Sequence, residues 1–491
     1  MTDKNTQEFP HPEYARYILA PGFVHAQELL FPHMMAANEA QALMLAKTGI
    51  LPAEQALSIV EALQTISDSG AHAFTYSPSL EDLFFAVEGR LIEMTGVETG
   101  GNHQIARSRN DLAAALCRLM IRDQLTSIMN DVQRLRTRFI DLVQTHMRTI
   151  MPGITHTQPA QPTTLAHYLM GVLGSLERDF DRLYLAWKRV NQSPLGVAAF
   201  TTTSFPIDRD LTADLLGFDG IVENGYDAVG ANDHMLEAVQ ALQNMCGSLS
   251  RFVYDLLVWA RLEVGIVRID DAFIQISSIM PQKRNPVVLE HIRARVGYVY
   301  GDVATVTTMV HSAAFGDTND VEDQIYVPIA RAFAASESVL RLLDAVLETA
   351  MFDVELLSKR ASEGNMTTTA LADGLVRDHG LSFRSAHHIV SSLVSEGSSF
   401  TTADVCSMVR RVAVQEIDIE QIWIDHQLDP WAFIEARTLP GGPAPAAIQR
   451  SLAVSTTRLR LDADRLHAAQ RRVSDAHVLR LELAGNLAVS H

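Results

Sequence analysis

The feature that most constrains this chain is a set of apolar stripes that recur every three or four residues over long distances. Such spacing puts apolar side chains on one face of a helix, and that face has to pack against other helices. Several stripes lie within residues 112–139, 165–183, 289–310 and 327–347. The most regular stripe consists of Leu236, Val239, Leu242, Met245, Leu249, Phe252, Leu256 and Ala260. We therefore predict an all-α fold with a long central helical bundle.

Changes in the length of the helical pieces predict three domains. Good helix formers between Ala20 and Met94 are interrupted by glycine and proline, which predicts an N-terminal helical domain over residues 1–110. The long stripes predict a central bundle domain over residues 111–355, whose helices are long enough to pack against other subunits. After residue 355 the pieces become shorter, so we expect a small C-terminal helical domain over residues 356–491.

Charge and cysteine content exclude several classes of function. The formal net charge is −18, whereas a nucleic-acid-binding surface is basic. Cys117, Cys246 and Cys406 are far apart, so we expect neither a disulfide framework nor a zinc site, and a reducing cytoplasm fits. We find neither a secretory leader nor an apolar run of about 18 residues that would cross a membrane. The expected location is cytoplasmic, without membrane or nucleic-acid partners.

Two polar segments precede long helical patterns. ARSRND, at residues 106–111, combines arginine forks that suit a carboxylate with serine and asparagine donors. Asn110 or Asp111 is also a candidate cap of the following helix, and the two interpretations are compatible. THTQPAQP, at residues 155–162, has the composition of a proline-bounded loop. Its His156 is a candidate proton-transfer group, although an isolated histidine is more often structural.

A third polar segment, ISSIMPQKRNP, lies between two apolar stripes at residues 276–286. Pro281 and Pro286 cannot continue a helix interior, so we predict a loop with a stiffened exit. Such a loop is either a surface connection or part of a site. The three segments together supply groups that bind carboxylates and move protons. The sequence contains no HExxH metal motif, no G-x-S-x-G elbow and no phosphate-binding glycine loop.

These segments resemble motifs of one superfamily. SSIMPQKRNP resembles the signature of the aspartase/fumarase superfamily, and THTQPAQP is similar to its Thr-His-x-Gln segment. ARSRND resembles the corresponding segment of the argininosuccinate lyase branch, which LADGLVRDHGLSFRSAHHIV and GGPAPAAI also match. The resemblance implies an aspartase/fumarase-like three-domain fold and a homotetramer whose active sites are shared between three subunits. It implies reversible β-elimination of fumarate from a small dicarboxylate or amino-acid substrate, without cofactor or metal.

The resemblance also implies roles for individual residues. Ser278 would be the general base, with its oxyanion stabilised by Lys283 and by backbone N–H groups of the loop. His156 would act on the leaving-group side, and Glu290 would orient it. Ser277 is favoured as a hydroxyl that shapes the loop. The remaining substrate-binding candidates are Ser108, Arg109, Asn110, Thr155, Gln158, Ser277, Met280 and Asn285.

One segment departs from the argininosuccinate lyase branch. Members of that branch carry a Tyr-Asn-Arg-Asp-x-Gln-Glu-Asp-Lys-like stretch that grips the arginine half of the substrate. Here the region reads FGDTNDVEDQIYVP and keeps Glu322 and Asp323. Gly316 stands in the Tyr position, Val321 in the Gln position and Gln324 in the Lys position.

The departure leads to one hypothesis and several alternatives. The fumarate half of the site is kept and the amine half is rewritten, so we expect a carbon–nitrogen lyase acting on an N-substituted aspartate other than argininosuccinate. Ethylenediamine-disuccinate, handled by a relative in this branch, is one candidate substrate. The alternatives are argininosuccinate lyase itself and an inactive structural relative. A lyase for adenylosuccinate, or a plain aspartase or fumarase, is disfavoured by ARSRND.

Overall fold

The computed structural model describes residues 9–489, apart from the side chains of Asp320 and Glu322. The side chain of Glu322, which the segment shares with the family pattern, therefore lies outside the described part. Residues 1–8 of the predicted N-terminal domain lie outside it as well. Helices dominate the rest of the chain. They are α1 (Pro12–Tyr14), α2 (Ala20–Leu29), α3 (Phe31–Lys47), α4 (Ala53–Ser69), α5 (Leu83–Thr95), α6 (Val97–Gly100), α7 (Arg109–Thr145), α8 (Leu165–Val190), α9 (Arg209–Leu215), α10 (Gly225–Gly230), α11 (Asp233–Trp259), α12 (Val287–Val310), α13 (Asn319–Glu322), α14 (Tyr326–Thr349), α15 (Val354–Ala361), α16 (Thr368–His379), α17 (Phe383–Ser395), α18 (Thr402–Ala413), α19 (Gln421–Leu428), α20 (Pro430–Glu435) and α21 (Pro445–Val489).

Short helical turns and three small antiparallel strand pairs complete the fold. A π-helical stretch, Ala15–Leu19, joins α1 to α2, and 3₁₀ turns cover Ala71–Ala73, Gly101–Gln104 and Asp271–Phe273. The strands are β1 (Ile150–Thr155), β2 (Gln158–Thr164), β3 (Val267–Arg268), β4 (Gln275–Ile276), β5 (Arg284–Asn285) and β6 (Met351–Phe352). The strand pairs are β1–β2, β3–β6 and β4–β5.

The central bundle is a ring of five long helices. Neighbours in the ring are α7 and α8, α8 and α11, α11 and α12, α12 and α14, and α14 and α7. The predicted stripes form its core, since Leu242 and Met245 are fully buried and Phe252 is 2% exposed. The all-α prediction and the long central bundle are confirmed. In the described part of the chain, no helix is long and apolar enough to span a membrane.

The helix α21 differs from the prediction of short C-terminal pieces. It has 45 residues and packs against α7, α8 and α4. Its buried face is not apolar throughout, because Asp462 forms a 2.8 Å ion pair with Arg136 of α7 in a site closed to solvent. Arg480 likewise pairs with Glu39 at 2.8 Å. Charged residues on a packed face hide the apolar period, which explains why the sequence did not reveal this helix.

A second hydrophobic cluster lies within α16–α19 and contains Leu371, Leu375, Ile389 and Val405. The apolar residues of α21, such as Leu466, belong instead to the cluster of the central bundle. The predicted domain boundaries at residues 110 and 355 stay a prediction.

Candidate active site

The ARSRND segment forms the start of α7. Ser108 is the N-cap, because its Oγ accepts the N–H of Asn110 at 3.3 Å. Asp111 completes a capping box by accepting the Ser108 N–H at 2.9 Å. The segment does cap the helix, as the capping interpretation expected, and Asp111 takes part, but the N-cap residue is Ser108 and not Asn110 or Asp111. The segment places hydrogen-bond donors at the positive end of a 37-residue helix, a position that favours anions.

Asp111 ties this helix start to the irregular segment that follows α8. Its second oxygen accepts the backbone N–H groups of Gly196 at 2.9 Å and Ala198 at 3.1 Å. The side chain is fully buried, and this desolvation raises the pKa of Asp111, opposed by the hydrogen bonds from Ser108, Ala198 and Gly196. This supporting role of Asp111 was not predicted from the sequence, although the Ser-x-x-Asp spacing is the signal of a capping box.

Two carboxylates and an aromatic ring hold the side chain of Arg109. Its Nη1 lies 2.9 Å from Asp82 and 3.5 Å from Glu81, and its guanidinium lies over the ring of Phe85 at 4.7 Å from the centroid. Asp82 is itself fixed as the N-cap of α5. Because a guanidinium has five N–H donors, Arg109 retains donors for a substrate carboxylate.

Asn110 connects the helix start to the rewritten segment of residues 315–328. Its amide donates a hydrogen bond to Asp317, which is 207 residues away in the chain. Near this contact, Val321 is 4% exposed and belongs to the core, whereas Gln324 is exposed. The structure thus brings the candidate carboxylate-binding residues next to the segment that departs from the family pattern.

His156 lies at the tip of a β-hairpin, so the predicted loop is confined to a two-residue turn and the rest of the segment is strand. Thr155 pairs with Gln158, and the two residues between them form the turn. Both turn residues have positive φ, 50° at His156 and 65° at Thr157, as in a type I′ turn. Positive φ is strained for a threonine, and the pairing of Thr155 with Gln158 on either side of the turn holds Thr157 in this conformation. His156, Thr155 and Gln158 are exposed at this tip.

The segment of residues 276–286 is a second small hairpin, whose ends are β4 and β5. Inside it, Ser277 Oγ accepts the N–H of Met280 at 3.0 Å and the N–H of Ile279 at 3.3 Å. The hydroxyl of Ser277 therefore stabilises the turn, which supports the loop-shaping interpretation. Ser278 is exposed next to it.

The other candidates of this hairpin are also placed at the surface. Asn285 donates from Nδ2 to the carbonyl of Gln275 at 3.0 Å and so fastens the two strands. The Lys283 side chain is exposed, and its backbone N–H bonds the Met280 carbonyl at 3.0 Å. Glu290 is exposed in the first turn of α12. Within the described residues, no group of three or more His, Cys, Asp or Glu is placed to hold a metal ion.

The candidate residues lie at two ends of the bundle. Ser108 precedes α7, whose 37 residues span about 55 Å, and the hairpin of His156 begins at Ile150 after the other end of α7. The Ser278 hairpin lies toward that same far end. It follows β3, which pairs with β6. The ring of Phe352 in β6 packs against the ring of His146, the residue directly after α7, with 5.2 Å between the ring centroids. A single chain therefore does not bring all three segments together.

Comparison with known proteins shows the family to which the chain belongs. The family model described as Lyase matches residues 24–301, and the model described as Argininosuccinate lyase C-terminal matches residues 365–424. Argininosuccinate lyase 1 of Shouchella clausii is 34% identical over 98% of both chains. The argininosuccinate lyase of Methanospirillum hungatei is 37% identical over 86% of both chains.

Solved structures give the same result. EDDS lyase in complex with formate superposes with a TM-score of 0.85 at 28% identity, covering 98% of this chain and 96% of that one. The class II fumarase of Schistosoma mansoni shares the fold, with a TM-score of 0.67 at 14% identity over 84% of this chain and 90% of its own. The fold and these matches show a carbon–nitrogen lyase of the aspartase/fumarase superfamily. Within that superfamily, the chain belongs to the argininosuccinate lyase branch.

Proposed function

We propose that this lyase catalyses reversible β-elimination of fumarate from an N-substituted aspartate whose amine half is not arginine. The observation that carries the proposal is the segment beside Asn110. It has Gly316, Val321 and Gln324 where the branch has Tyr, Gln and Lys, and it presents Asp317 to the Asn110 amide. Ethylenediamine-disuccinate remains one candidate substrate.

Ser278 is proposed to remove the proton from the carbon next to the substrate carboxylate. The C–H electrons pass into that carboxylate as an aci-carboxylate dianion, and their return forms the C=C bond of fumarate as the C–N bond breaks. A serine needs its oxyanion stabilised to act as a base, and Lys283 together with backbone N–H groups of the turn would do so. The engagement of the Ser277 hydroxyl with Met280 leaves Ser278 as the exposed hydroxyl of the pair, which supports this assignment.

The leaving nitrogen is proposed to receive its proton on the side of His156. The imidazole is exposed at the tip of a tight two-residue turn. Such a tip suits a group that projects into an active site formed with a neighbouring subunit. Thr155 and Gln158 flank it as the closing pair of the hairpin and would contact the substrate. Glu290 would orient the imidazole.

The substrate carboxylates are proposed to bind at the start of α7. Ser108, Arg109 and Asn110 combine a guanidinium, two uncharged donors and the helix terminus, which suits a dianionic fumarate half. Met280 and Asn285 would complete the contacts from the hairpin of Ser278.

A complete site requires more than one chain. Because the start of α7 and the two hairpins lie at different ends of the bundle, antiparallel neighbours would bring them together. We propose a homotetramer in which three subunits contribute to each site, located in the cytoplasm. Exposed apolar side chains support association. They include Ile276 at 74%, Ile279 at 83% and Tyr298 at 60% exposure.

The second candidate is argininosuccinate lyase itself, which the 34–37% identity to proteins of that name favours. An inactive structural relative is the third. The discriminating experiment follows fumarate by ultraviolet absorbance with a panel of amines and, in the cleavage direction, with argininosuccinate. The proposal expects fumarate consumption with an amine other than arginine. Rapid argininosuccinate cleavage would favour the second candidate, and silence with every compound would favour the third.

A further inference from the structure

A cavity of about 230 Å³ opens beside Arg109 and Asn110. It lies between the N-terminal helices α2 and α3, the start of α5 and the first turns of α7. Its inner wall is made of buried apolar side chains: Leu19, Phe23, Leu30, Met34, Leu112 and Leu116. Such a wall accepts a hydrocarbon group and disfavours a charge.

The mouth of the same cavity is acidic. Glu81, Asp82, Asp317 and Asp323 line it, together with the single guanidinium of Arg109. Arg109 pairs with Asp82 and Glu81, and among the described residues no lysine or arginine forms an ion pair with Asp317 or Asp323. Desolvation and the carboxylates of Asp82 and Asp317 raise the pKa of Asp323, opposed by Arg109. The mouth therefore carries uncompensated negative charge where the amine half would enter.

A second, smaller cavity lies behind Asp317. The two cavities share the wall formed by Asn110, Asp317 and Tyr326. The second one is also lined by His234, which is only 5% exposed. Oγ1 of Thr318, in the same cavity, makes no hydrogen bond within the described residues.

From these features we infer the amine half of the substrate, and this inference rests on the proposed function. The amine half is a primary amine with an apolar body and no carboxylate. Its body fills the apolar cavity, and its nitrogen, protonated in the free amine, lies at the acidic mouth against Asp317. When the fumarate half binds, Asn110 turns to the substrate carboxylate and Asp317 turns to the ammonium. An amine half that carries a carboxylate is repelled at this mouth. The inference therefore narrows the proposed function: it disfavours argininosuccinate and also ethylenediamine-disuccinate, the candidate substrate named with that function.

The charge part of the inference is tested with a matched pair of amines. Norleucine is pentylamine with an added α-carboxylate, so the pair differs in that group alone. Fumarate consumption by the wild-type protein is expected to show kcat/KM at least about tenfold higher for pentylamine than for norleucine. Asp317→Asn should reduce this ratio about tenfold, whereas Asp418→Asn, which removes an exposed carboxylate far along the chain, should leave it unchanged.

The apolar part is tested by filling the cavity. Gly22 lines it from α2, and a Cβ at this position would meet no atom within 4 Å. Gly22→Leu should raise KM for pentylamine about tenfold and leave methylamine unaffected, since methylamine has no body to exclude. Gly89→Leu, on the exposed side of α5 and equally free of contacts, is the matched control.

The outcomes separate the two claims. Fumarate consumption with norleucine equal to or faster than with pentylamine, or a ratio insensitive to Asp317→Asn, would overturn the inference and leave the proposed function standing. Absence of fumarate consumption with every amine, ethylenediamine included, would remove the proposed function and the inference with it.

Discussion

The hydroxyl of Ser277 accepts the backbone N–H of Met280 at 3.0 Å. This contact closes the turn between β4 and β5 and leaves the next residue, Ser278, exposed at its surface. Two adjacent serines thus have different surroundings: one hydroxyl holds the backbone, and the other is available to a substrate. The account of the chemistry depends on that difference.

The first prediction concerns the strained tip of the His156 hairpin. His156→Asn removes the imidazole but keeps a residue that tolerates positive φ, so the free energy of unfolding should change by less than about 1 kcal/mol. Fumarate turnover should fall by roughly 10² to 10⁴, the range for loss of a proton-transfer group. Thermal denaturation and the fumarate assay give the two values. A variant that keeps its turnover would show that His156 is not needed on the leaving-group side.

The second prediction concerns the division of the site between chains. His156→Asn and Asn110→Ala each impair a different end of the bundle, so each variant alone should be inactive. Co-expression of the two chains should restore activity to roughly a tenth of wild type or more, because some sites in mixed oligomers receive only intact residues. Each variant expressed alone is the control. Failure of co-assembled chains to recover activity would contradict the shared site.

The third prediction concerns the buried pair that joins α7 to α21. Asp462→Asn leaves the Arg136 charge buried without a counter-ion, which should cost about 3–5 kcal/mol of unfolding free energy. The exposed pair of Arg90 and Glu93 is the control, and Glu93→Gln should cost less than about 0.5 kcal/mol. Denaturant titration measures both. Equal costs would mean that the ion pair does not hold α21 to the bundle.

The fourth prediction restores the residues of the argininosuccinate lyase branch at two positions of the segment of residues 315–328. A Cβ at Gly316 would meet nothing within 4 Å, and Gln324 is exposed, so neither backbone position excludes a larger side chain. The double variant Gly316→Tyr, Gln324→Lys should raise kcat/KM for argininosuccinate cleavage about tenfold or more, because the branch pattern and a cation are restored. Val321 is left unchanged, since its buried position would not accept glutamine. An unchanged rate would show that these two positions do not exclude argininosuccinate.

The sequence predicted the central bundle well because its helices bury a regular apolar face. Apolar stripes such as Leu242 to Phe252 can be recognised without knowing which helices they pack against. The prediction failed for α21, whose buried face includes Asp462 and Arg480, and for the hairpin of His156, where prolines concealed two paired strands. Burial of charge and antiparallel pairing are decided by distant residues, which local periodicity does not contain.

The candidate site likewise has features that the sequence predicts and features that it does not. The three segments were found from composition and resemblance, and the capping box at Ser108 was readable from spacing. The contact between Asn110 and Asp317 was not, because it joins residues separated by 207 positions. The placement of the segments at different ends of the bundle was also hidden, since it depends on the lengths and directions of packed helices.

The most direct test of the central claim compares two serine variants. Fumarate turnover, with an amine that the wild-type protein uses, is measured for Ser278→Ala and for Ser277→Ala, with the oligomeric state of each checked by light scattering. The account predicts that Ser278→Ala loses turnover by about 10³ or more while the assembly stays intact. Ser277→Ala should lose only about tenfold, since it gives up turn-stabilising hydrogen bonds. Near wild-type turnover in correctly assembled Ser278→Ala protein would contradict the assignment of Ser278 as the base.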